Sequence, residues 1–116
     1  MADAVPCARR IGTVVNTHAN GDHCFGNQLV KDSLIIASRA AAEEMAIVTP
    51  AVMAAFVRSA AQLGPGGEFF ARLFGPFEFE GIELTPPNRT FEGELNCQVG
   101  EREVRLVEVG PAHTRG

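Results

Sequence analysis

Asn16-Thr17-His18-Ala19-Asn20-Gly21-Asp22-His23-Cys24-Phe25-Gly26-Asn27 packs two imidazoles, a carboxylate, several amides and a thiol into one short stretch. No apolar periodicity survives between His18 and Asn27, and Gly21 and Gly26 punctuate it, so it reads as a loop. Just before it, Ile11-Gly-Thr-Val-Val15 is a β-branched run that predicts a buried strand ending near Thr17. The carboxyl end of a strand in an open α/β sheet is where ligands collect. Histidine and aspartate are suitable zinc ligands. In an extended segment alternate residues point the same way, so His18, Asn20 and Asp22 are expected to share a face. His23 then points elsewhere, which suits a second metal or a bridging arrangement.

Outward from this loop, Leu34-Ile-Ile-Ala37 predicts a second buried strand. Ser38 is the expected N-cap of a helix through Ala40–Ala46, with Glu43 and Glu44 on a solvated face. Thr49-Pro50 signals another helix start, and Val52, Phe56, Ala60 and Leu63 follow at helical spacing until Gly64-Pro65 stops them. Gly66-Gly67 opens a further helical pattern in which Phe70, Phe74 and Phe77 form a stripe, read as packing surface. From Gly81 onward the period changes. Leu95, Cys97 and Val99 alternate with polar residues, Gly100-Glu101 predicts a turn, and Val104 to Val109 predict a strand. That strand leads into Val109-Gly110-Pro111-Ala112-His113-Thr114, which places the third histidine at a strand end, positioned to complete a site with the first loop.

Composition narrows the possibilities. The 116 residues make one domain, 1–116, with 46% hydrophobic and 21% charged residues, a globular balance. Ten Lys+Arg against fourteen Asp+Glu leave a net charge of −4, and Lys31 is the single lysine. Nucleic-acid affinity needs clustered Lys and Arg, so no nucleic-acid partner is expected. No 18-residue apolar run is present, which argues against a membrane span and a membrane partner. Met1–Arg10 lack the apolar core of a signal peptide, and Cys7, Cys24 and Cys97 are an odd, widely spaced set without a CxxC pair. A reducing, cytoplasmic location is the simplest expectation. Cys7 and Cys97 read as structural.

Thr-His-x-Asn-x-Asp-His-x-x-Gly-Asn after a strand, with Gly-Pro-Ala-His-Thr after a later one, resembles the metallo-β-lactamase superfamily. The family's loop is His-x-His-x-Asp-His, with a further His downstream in a Gly-x-x-His-Thr context. By that resemblance His18 and His113 match ligands of a first metal, and Asp22 and His23 match ligands of a second. It implies one or two divalent ions, zinc foremost. It also implies a metal-bound hydroxide attacking an ester, lactone or phosphoester, oriented by Asp22 as the catalytic carboxylate. A divalent ion lowers the pKa of bound water to roughly 7, so hydroxide is available at neutral pH.

The sequence departs from the family pattern in three ways. Asn20 stands where a histidine is expected, and its amide oxygen is a weaker donor for zinc than imidazole. Cys24 is either a substitute ligand or a small buried thiol. The family's opening strands and its second α/β half have no counterpart here. The expected fold is therefore α/β, a partial metallo-β-lactamase-like fold: half of an αββα sandwich, a sheet with packed helices. The expected function is metal-dependent hydrolysis of a small-molecule substrate. The alternative is a non-catalytic metal-binding fragment or a remnant of a longer hydrolase. Arg115 is a candidate for an anionic substrate group. The Phe stripe is expected to form an apolar pocket wall. A half sandwich leaves apolar surface open, which predicts a homodimer or higher homo-oligomer.

Overall fold

The computed structural model describes Ala4 and residues 10–116 of the chain. Cys7 lies outside the described residues. The architecture mixes sheet and helix, as the resemblance implied. Three strands form a parallel sheet in the order β1 (Thr13–Val15), β2 (Leu34–Ser38), β3 (Arg89–Phe91). Val14 sits opposite Ile35, and Ala37 opposite Thr90. Parallel neighbours require a crossover connection. Between β1 and β2 it is made by α1 (Gly21–Cys24) and a 3₁₀ helix over Phe25–Val30. Between β2 and β3 it is made by α2 (Arg39–Met45), α3 (Pro50–Ser59) and α4 (Pro65–Phe74).

β2 is the buried strand. Ile35, Ile36, Ala37 and Ser38 are all buried, which is why this segment reads as an unbroken apolar run rather than an alternating one. β1 shares its β-branched composition but not its burial. Among the described residues it is a three-residue edge strand, and Val15 is 40% exposed, so the expectation of a buried first strand is corrected. A run of β-branched residues specifies extended backbone; whether it is buried depends on having neighbours on both sides. β3 was not foreseen from sequence. Asn88 precedes it, accepting from the Ile35 backbone N–H at 2.9 Å and donating to the Ser33 carbonyl at 3.0 Å. Ala19, Cys24, Ala37, Ala41 and Met45 form one small core cluster, with Phe25 packed against it.

The caps read from sequence are present. Ser38 Oγ accepts from the Ala41 N–H at 3.1 Å, and Thr49 Oγ1 accepts from the Val52 N–H at 3.2 Å ahead of Pro50. Gly64-Pro65 both stops and starts. Gly64, at φ 79°, reverses the chain after a 3₁₀ turn over Ala60–Leu63, and Pro65 opens α4. α4 then folds back closely, because Gly67 sits against the Ala60 carbonyl where a Cβ would collide. Phe56, Phe70 and Phe74 stack in sequence, with centroid spacings of 4.5 and 4.6 Å. The stripe continues through Phe77 and Phe79 to Phe25, beside the first loop.

The final strands, β4 (Glu94–Val99) and β5 (Arg102–Val107), form a separate antiparallel hairpin around Gly100. β5 ends at Val107, so His113 lies in a loop rather than at the strand terminus. Among the described residues, no single helix is long and apolar enough to cross a membrane.

Candidate functional site

The first loop is more ordered than its sequence suggested. After β1 the Asn16 N–H donates to the Ile36 carbonyl at 2.9 Å, and Asn20 then leads into the helical turn α1, where the His23 N–H donates to the Asn20 carbonyl at 2.9 Å. That turn overrides the alternation expected of an extended segment. Helical winding replaces a period of two by one of 3.6, so the directions of His18, Asn20, Asp22 and His23 are redistributed. His23, expected to point away from His18, instead lies with its ring centroid 4.1 Å from that of His18. His18 and Asn20 both lie against His113, whereas Asp22 lies beside His23. Asp22 is 78% exposed, and its Oδ2 lies 3.3 Å from His23 Nε2.

The third histidine arrives from the far end of the chain. The His113 ring stands edge-on to His18 at 5.5 Å, and its Nε2 lies 2.8 Å from Asn20 Nδ2. All three histidines of the protein thus gather beyond the carboxyl end of β1, although 95 positions separate His18 from His113. The loop that carries His113 docks on α2. The Arg115 N–H donates to Glu44 Oε2 at 3.2 Å, and Gly116 lies so close to Ser38 and Ala41 that a Cβ there would collide with both. Glu44 is therefore only half-exposed and tethers this loop, whereas Glu43 faces solvent beside Arg39 as expected. Arg115 takes part through its backbone.

Several residues that shape the site carried no role in the sequence reading. Thr17 Oγ1 lies 2.9 Å from His18 Nδ1, a contact that orients the imidazole and leaves Nε2 open. Asn16 and Asn27, both buried, pair their side-chain amides with each other. Their sequence signal was faint: two short amides bracketing a polar loop. Cys24 is buried and its Sγ–H lies 3.6 Å from the Ala19 carbonyl. Burial, and secondarily the nearby Asp22 carboxylate, raise its thiol above the ordinary range. It is placed as core, in line with the buried-thiol alternative. Cys97 is half-buried on β4.

Three imidazoles with a neighbouring carboxylate are donors of the right chemistry for a borderline divalent ion such as zinc. Their present arrangement gathers them without converging them. Among the described residues, no group of three or more His, Cys, Asp or Glu side chains is disposed to grip one ion. The contact between Asn20 and His113 explains part of this. An amide N–H donating to an unprotonated Nε2 occupies the lone pair that a metal would take. A separate groove lies away from the histidines. It holds about 340 Å³ between α3 and residues 77–80, lined by Val57, Arg58, Phe77 and Phe79.

The parallel sheet carries the histidine loop at the carboxyl end of β1, and the distant His113 joins that loop. The family model of the metallo-beta-lactamase superfamily matches residues 8–116, and the chain belongs to that superfamily. No curated protein and no solved structure matches it. Superfamily membership suggests a metallo-hydrolase.

Proposed function

We propose that the protein is a metal-dependent hydrolase acting on an ester, lactone or phosphoester, with His18, His23 and His113 as the imidazole donors and Asp22 as the acidic one. The observation that carries this reading is the arrival of His113 beside His18 and Asn20 from the other end of the chain. In this assignment Thr17 holds the His18 ring with Nε2 directed outward. Asn20 holds His113 in reserve through Nε2, so His113 engages an ion either by releasing that contact or through Nδ1. Asp22, exposed and next to His23, would orient the nucleophile. A divalent ion bound here would supply a water of lowered pKa, about 7, near neutral pH.

Elemental analysis of metal per chain, paired with an ester, lactone and phosphotriester panel run with and without chelator, tests this proposal. Chelator-sensitive turnover that disappears in Asp22→Ala, with circular dichroism unchanged, is the expected result. Lack of any chelator-sensitive turnover would overturn it. Since the donors gather without converging, the second reading is a metal-binding chain without catalysis. Metal uptake of unchanged stoichiometry, with no hydrolysis of any panel member, would favour that alternative. Assembly into a homodimer or higher homo-oligomer belongs to the same proposal, prompted by exposed Phe69 and Phe77. Light scattering at micromolar concentration should then give a mass above the 12.4 kDa of one chain.

A further inference from the structure

The four-point amide clamp at the base of the histidine loop is unusual for its burial. Asn16 is 5% exposed and Asn27 4%. Asn16 Nδ2 donates to Asn27 Oδ1 at 3.0 Å and to the His23 carbonyl at 3.1 Å. Asn27 Nδ2 donates to Asn16 Oδ1 at 2.8 Å and to the Thr85 carbonyl at 3.0 Å. Both donor hydrogens of each amide have partners, and each side-chain oxygen accepts from the other residue. Asn16 is itself anchored to the sheet, since its backbone N–H donates to the Ile36 carbonyl.

We propose that Asn16 and Asn27 are positioning residues whose paired amides fix the His23 main chain against the end of β1, and so set the His18–His23 ring contact from which an ion site is made. This rests on reading the histidine cluster as the functional site. The geometry singles out His23 because the clamp binds its carbonyl directly. Asn27 extends the same clamp to Thr85, in the segment leading to β3, so the loop is braced from both sides of β2. Groups that orient metal ligands from behind typically change metal affinity by roughly 10- to 100-fold when removed.

Asn16→Asp tests the proposal with minimal change of shape. It keeps the acceptor that Asn27 uses but turns an oxygen toward the His23 carbonyl and Asn27 Oδ1. Asn88→Ala serves as the comparison variant, because it deletes two side-chain bonds to backbone at the opposite end of the sheet. Three readouts are needed. In the native protein, the side-chain amide protons of Asn16 and Asn27 should exchange slowly with solvent. In metal-free protein, the nuclear Overhauser effect between the His18 and His23 rings should be present in native protein and Asn88→Ala and lost in Asn16→Asp. In titrations with zinc alone, Asn16→Asp should bind about 10- to 100-fold more weakly than native protein, and Asn88→Ala less than about threefold more weakly.

Rapid exchange of the native amides would overturn the clamp, and this holds even if Asn16→Asp fails to fold. Retention of the ring contact in folded Asn16→Asp would also overturn it, as would equal losses of ring contact or zinc affinity in Asn88→Ala. Absence of zinc uptake by the native protein would count against the proposed function alone, because the exchange and ring-contact measurements decide the clamp without metal.

Discussion

The histidine cluster has two halves held in opposite ways. The half from residues 16–27 is locked from beneath by a buried amide pair, its two part-buried bonds to backbone carbonyls and a buried cysteine. The half from residues 110–116 is held from the side, by Asn20 on His113 and by the Glu44 carboxylate on the Arg115 N–H, in contacts open to water. Hydrogen bonds away from solvent are costly to leave unmade, whereas exposed ones exchange readily with water. The first half is therefore expected to be the rigid template and the second the adjustable arm. That division suits the proposed function, because the donors gather without converging and His113 is held through its Nε2 by a water-exposed contact.

The comparison breaks most visibly at Asn27. Asn27→Ala leaves the Thr85 carbonyl and both polar atoms of the buried Asn16 side chain short of partners, an expected loss of about 2–3 kcal/mol. Thermal denaturation should show a fall in Tm of roughly 10 °C. The same variant should expose Cys24, which in the native protein is expected to alkylate far more slowly than the half-buried Cys97. Alkylation followed by peptide mass mapping distinguishes the two cysteines. A Cys24 rate unchanged by Asn27→Ala would mean that the two halves do not differ in rigidity.

Glu44→Ala should cost less, about 0.5–1 kcal/mol, because the bond it removes is water-accessible. Its local effect should be larger than its global one: amide exchange at Arg115 should accelerate about tenfold while Cys24 alkylation stays at the native rate. Smallest in stability is His113→Ala, expected within about 0.5 kcal/mol of native by chemical denaturation, since the ring is exposed. Zinc affinity measured by calorimetry should nonetheless fall below detection in that variant. Stability loss comparable to that of Asn27→Ala would place His113 in the core of the fold rather than on an arm.

Local signals in the chain account for much of this molecule. Apolar Leu34–Ala37 specifies the central strand, Ser38 and Thr49-Pro50 specify helix starts, and Gly100 specifies the hairpin turn, because each acts within a few residues. The residue types at 18, 20, 22, 23 and 113 likewise marked the side chains proposed to carry chemistry, and the fold gathers the three histidines among them. Their directions were not legible. Reading residues 18–23 of the loop as extended gave His18 and Asp22 one face and sent His23 to another, whereas one helical turn at Gly21–Cys24 accompanies a His23 ring lying against His18.

The roles of Asn16, Asn27 and Glu44 depended wholly on folding. An asparagine in a polar loop and a glutamate on a helix are ordinary surface residues until another segment is brought against them. Thr85 reaches Asn27 across 58 positions and Arg115 reaches Glu44 across 71. Sequence spacing limits which neighbours on one element can meet. Contacts over such separations exist only after the sheet has closed, and it is there that a polar group is either buried and paired or left to water.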